Sequence, residues 1–140
     1  MTSMTSVFDA VVKMVADLKL YASPIVGAMP ADNGIAMQIS TGANDTTFLE
    51  KDIVVGFSVV LNGKHSSQQT VLDDLNKAHE ALTMTKDYPS DTDWQICDIR
   101  SDSLPNYIGR EDNQYLYGSA LRVRAYIMKG QTTNGTSDSV

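Results

Sequence analysis

The stretch PNYIGREDNQYLYGSALRVRAYIMK, residues Pro105 to Lys129, carries the most regular pattern in the chain. From Gln114 onward Tyr115, Tyr117, Leu121, Val123 and Ile127 fall on one side, with the small Ser119 and Ala125. Arg122, Arg124 and Tyr126 fall on the other. A period of two among β-branched and aromatic residues predicts a strand with one buried face. At about 3.3 Å per residue it spans roughly 45–50 Å, so it must run through a sheet centre or project beyond the domain. Ahead of it, Pro105, Asn106, Gly109 and the charged run Arg110 to Asn113 predict a turn-rich loop suited to making contacts.

Outward from that strand, Trp94 to Arg100 reads as a shorter one, preceded by an acidic loop from Asp87 to Asp93. Ser66 with Gln69 three residues on forms a capping box that opens a helix running to about Thr83. Val71, Leu72, Leu75, Ala78, His79 and Leu82 supply its buried face. Ile53, Val55, Phe57, Val59 and Leu61 alternate, giving a strand from Asp52 to Leu61 that ends at the turn signal Asn62-Gly63. Ile35, Met37 and Ile39 make a further strand, followed by a turn cluster from Thr41 to Thr47. Pro24, Gly27, Pro30 and Gly34 make Tyr21 to Gly34 a connecting loop. A first helix starts near Ser6 and ends near Leu20, with a stripe of Phe8, Val11, Val12, Val15 and Leu18. The order α-β-β-α-β-β predicts an α+β domain over residues 1–129, a mainly antiparallel four-stranded sheet with two helices packed on one face. The tail from Gly130 to Val140 carries almost no apolar residue and is expected to be disordered.

The chain of 140 residues has a formal net charge of −6, with eleven Lys and Arg against seventeen acids. That balance argues against a phosphate-gripping protein, although Arg100, Arg122 and Arg124 could form a local basic strip on neighbouring strands. Cys97, the one cysteine, excludes an internal disulfide and fits a reducing cytosol. It has no histidine near it in sequence to hold a thiolate, so a structural thiol is expected. His65 and His79 lie fourteen residues apart without a Cys or Glu at zinc-ligand spacing. Counting an EF-hand loop from Asp91 puts Ile96 where Gly is needed and Asp102 where a bidentate Glu is wanted. No Gly-rich phosphate cradle is present. Catalytic residues, metal ligands and cofactors are therefore all expected to be none.

Pro105, Tyr107, Ile108, Gly109, Arg110, Asp112, Tyr115, Tyr117, Leu121, Val123 and Arg124 form a pattern that resembles the minor capsid or tail terminator proteins of long-tailed phages, those of Gram-positive hosts above all. Length and element order agree over about residues 5–129. The resemblance implies a non-enzymatic virion protein of the tail or neck, assembled in the host cytoplasm as a hexameric ring. Its partners would be further copies of itself, the major tail tube protein and the head-connector proteins, with DNA passing through the ring and no sequence-specific binding or membrane. In such a ring Tyr107, Arg110, Glu111, Asp112, Arg122 and Arg124 are the candidate interface residues, one charged patch meeting opposite charge on the neighbour. Two alternatives stand: another neck or head-completion protein, or a small-molecule-binding regulatory α+β module with a pocket between helices and sheet.

Overall fold

The computed structural model describes residues 3–40, 45–49 and 52–128. The chain runs α1 (Ser3–Ala16), β1 (Pro24–Val26), β2 (Gly34–Ile39), β3 (Asp45–Leu49), β4 (Asp52–His65), α2 (Gln68–Thr83), β5 (Trp94–Glu111) and β6 (Gln114–Ile127). The strands form one sheet ordered β1-β2-β4-β6-β5, with β3 beside β4 beyond the end of β2. Every pairing is antiparallel except β1 with β2. The α+β class holds, but the expected four strands and the order α-β-β-α-β-β do not. Two short strands, β1 and β3, lie where the sequence suggested the loop Tyr21 to Gly34 and the turn cluster Thr41 to Thr47. Each takes its backbone partners from a longer neighbour, so neither needs a periodic pattern of its own.

Ile53, Val55, Phe57, Val59 and Leu61 of β4 and Leu121, Val123, Ala125 and Ile127 of β6 share a single core with both helices. Val7, Phe8, Val11 and Val15 come from α1, and Val71, Leu75, Ala78 and Leu82 from α2. Full burial of such side chains contributes roughly 1.5–3 kcal/mol apiece, which fixes both helices on one face of the sheet. The long strand β6 runs between β4 and β5 in the sheet interior, the first of its two expected placements.

Several boundaries move, each for a local reason. β4 does not stop at Asn62-Gly63 but pairs with β6 as far as His65. A Cβ on Gly63 would lie 2.7 Å from Val71 Cγ2 and 2.8 Å from Tyr21 Oη, so this glycine admits α2 and Tyr21 rather than making a turn. α2 is capped by Ser67, whose hydroxyl accepts from Thr70 N at 3.3 Å. Gln69 turns outward to Asp73 instead of closing the expected box with Ser66. α1 starts at Ser3 rather than near Ser6 and ends at Ala16, ahead of Lys19, whose φ of 57° cannot continue a right-handed helix. Leu18 and Leu20 still pack on the core from outside the helix. The tail Gly130 to Val140, expected to be disordered, lies outside the described residues. No helix among those described is long and apolar enough to cross a membrane.

Candidate assembly surface

The largest correction concerns the loop expected at Pro105 to Asn113. β5 continues through it to Glu111, and only Asp112 and Asn113 turn, with φ of 50° and 65°. Two consecutive left-handed residues make a type I′ turn, whose twist suits a tight hairpin. Trp94, Ile96 and Ile99 bury the first part of β5, whereas Arg100 to Glu111 lies along the outer edge of the sheet, mostly exposed. Three of the four register shifts against β6 interrupt this half, and Pro105 offers no N–H. Such irregularities keep an open edge from templating another strand.

The exposed half is held in place by side chains. Tyr107 meets Tyr117 edge to face at 5.8 Å, and Gln68 Nε2 donates to Tyr117 Oη at 2.5 Å. The Arg110 guanidinium lies 4.9 Å over the Tyr115 ring. At the tip the buried Lys64 ammonium donates to Glu111 Oε1 at 2.5 Å and to the Ala31 carbonyl at 3.2 Å. That hydrogen bond, with the Lys64 charge behind it, holds the Glu111 carboxyl below the usual carboxylate range. Gln114 is buried beside it; its Oε1 accepts from Asn33 N at 2.8 Å, and its Nε2 donates to Asn33 Oδ1 at 3.0 Å. The segment before β2 thus clasps the hairpin tip.

The face of the sheet opposite the helices brings Arg100, Arg122 and Arg124 together on neighbouring strands, with Asp98 and Asp102 among them. Arg122 stands between Arg100 on β5 and Ser58 on β4, and Arg124 between Asp98 and Gly56. Arg122 Nη1 donates to Ser58 Oγ at 3.4 Å, and Ser58 Oγ donates to Asp102 Oδ2 at 3.1 Å. Arg100 Nη2 lies 3.6 Å from Asp98 Oδ2. A groove of about 540 Å³ opens here, lined by Ser40, Ser58, Arg100, Asp102 and Arg122 among others. Two like charges directly across a strand pair repel, and the interleaved Asp98 and Asp102 offset that. The strip therefore alternates in sign, which suits charge matching with a protein better than a grip on phosphates.

Two groups of sequence candidates are kept apart. Tyr107, Arg110, Glu111 and Asp112 gather on the outer hairpin. Arg122 and Arg124 begin five residues along β6 from Tyr117, about 17 Å at a strand's rise. Sequence reasoning missed Lys64, the anchor of the tip, whose one signal was a lone charge just past an alternating apolar run. It also left Leu104 out of the candidates and gave Ile108 no contact role, although both are exposed on the same edge.

Of the residues weighed for chemistry, His79 is buried with Nδ1 2.8 Å from Ser101 Oγ, and burial lowers its pKa. His65 packs edge-on to Tyr21 at 4.8 Å, and its Nδ1 accepts from Ser67 N. Cys97 is exposed, at a register shift between Ile96 and Asp98. Among the described residues no group of three His, Cys, Asp or Glu could hold a metal ion.

No protein-family model matches the chain, and no curated protein does. Among solved structures the fold is similar to a chain in the virion of a native gene transfer agent particle, with a TM-score of 0.56 at 11% identity. The superposition covers 86% of this chain and 91% of that one. At so low an identity the likeness is one of fold.

Proposed function

We propose that the chain is a structural subunit of a phage-like particle and, within it, the tail terminator. The observation that carries this is the near end-to-end fold likeness to a gene transfer agent virion chain, covering 86% of one and 91% of the other. The pattern from Pro105 to Arg124 supports the narrower role. In that role copies close into a hexameric ring through heterologous contacts, one face of each subunit against a different face of the next. One side of the ring caps the last ring of the tail tube, and the other receives the head's connector. With a net charge of −6 the ring's lumen would let DNA slide, because like charge removes the counterion release that makes DNA binding tight. Function then rests on shape and charge matching, with no reaction to catalyse.

The small-molecule alternative placed its pocket between helices and sheet, and the continuous core occupies that layer. The other alternative, a different neck protein, separates by phenotype. Deleting the gene in a producing host should leave filled heads beside overlong, unjoined tails, and a plasmid copy should restore joining. Tails of normal length that fail to join would indicate a head-completion protein instead. Normal joined particles would remove the virion reading altogether.

A further inference from the structure

Seven large apolar side chains are exposed among the described residues, and five of them lie on the two outermost strands of the sheet. On β1 these are Ile25, 45% exposed, and Val26, 58%. On β5 they are Leu104, Tyr107 and Ile108, at 64%, 53% and 55%. The two groups sit at the same height along the strands. One row of the sheet runs Pro24, Ile35, Gly63, Tyr117, Tyr107, each paired with the next. Ile108 leans over Gly118, where a Cβ would come within 2.5 Å of its Cδ1, so this apolar edge wraps around the sheet margin.

We infer that these two edges are the two halves of one head-to-tail contact between copies of this chain. The inference rests on the ring reading above and deepens it. A two-fold contact would pair one strip with its own copy and leave the other apolar strip uncovered, whereas a head-to-tail contact covers both. Two different strips at equal height on opposite margins are what a rotation about an axis along the strands would bring together. Pro105 and the register shifts of β5 oppose continuous strand pairing, so side chains rather than a backbone ladder make the contact. A stable interface usually buries about 800 Å² on each partner, which five side chains do not supply alone. A single junction is therefore weak, and closing the circle, where every copy uses both edges, supplies the stability.

The test uses the full chain with Cys97→Ser as background. Val26→Cys combined with Ile108→Cys, mildly oxidised, should give a ladder of disulfide-linked oligomers on a non-reducing gel. Either cysteine alone should give none. Dimers from Ile108→Cys alone would mean that like edges meet, which overturns the head-to-tail contact. As a second measurement, Ile108→Asp should weaken self-association in sedimentation by about tenfold or more. Adding Ile25→Lys should restore it, with circular dichroism confirming that each variant is folded. If the parent protein forms oligomers but the paired cysteines never link and Ile108→Asp has no effect, the edge contact is wrong and the ring stands. A parent that stays monomeric at every concentration overturns both.

Discussion

His79 shows how one buried side chain writes a pH dependence into the fold. Its ring is buried between α2 and β5, with Ser101 on Nδ1 and no hydrogen-bond partner for Nε2. Charging the ring there would forfeit hydration, so burial holds its pKa below 6.5. The unfolded chain then binds more protons than the folded one between that lowered value and 6.5. The stability involved is complete above the window and is lost as pH falls through it. Urea midpoints of the wild type should drop between about pH 7 and about pH 5, and His79→Gln should flatten that slope. The variant should cost about 1–2 kcal/mol at neutral pH through lost packing. Equal slopes in both proteins would assign the effect to other groups. The burial of His79 was legible from its place on the helical stripe. Its hydroxyl partner was not, because Ser101 reaches it only through the extension of β5.

At the scale of elements, the β5–β6 hairpin separates what local pattern can tell from what it cannot. β6 and β4 announce themselves because each buries one face and leaves the other polar, which produces a period of two. The outer half of β5 buries neither face, so nothing in its composition alternates, and it is a strand only because β6 lies beside it. Gly63 misleads in the opposite sense: a turn signal by composition, it is a packing residue by environment. Of the candidate site, the grouping of Tyr107, Arg110, Glu111 and Asp112 followed from sequence proximity. The anchoring of Glu111 by Lys64 spans 47 positions and could not. The turn itself is testable. Asp112→Asn with Asn113→Gly gives the two left-handed positions their preferred residues and should stabilise by about 0.5–1 kcal/mol, seen as a higher urea midpoint. Glu111→Gln removes the counter-charge of a buried ammonium, so amide exchange at Arg110 to Tyr115 should quicken. Unchanged exchange there would mean the clasp from Asn33 and Gln114 suffices.

For the whole molecule, the proposed contacts at the two margins of the sheet would leave the helix-free face, with its alternating charges, open to a different partner. Arg124 is exposed, whereas Arg122 is half-buried and bonded to Ser58, so Arg124→Glu is the cleaner probe and the double reversal the stronger one. Arg122→Glu with Arg124→Glu should stay folded and still link through edge cysteines, but fail to cap tails in a complementation assay. Disrupting a buried interfacial charge costs about 2–5 kcal/mol, repeated at every copy in a ring. Tails of normal length joined to heads would place both arginines on an open surface. The two-residue turn also bears on how the chain reaches this arrangement. β5 and β6 are adjacent in sequence and can zip within about 1–10 μs, while β4 must close a long loop containing α2 before it reaches β6. On loop length alone the hairpin is expected to nucleate folding and β1 to join late. Changes at Asp112 and Asn113 then act mainly on the rate of folding, and changes at Ile25 and Val26 on the rate of unfolding. On that order, the β1 margin proposed to receive a neighbour would be the last part of each copy to be finished.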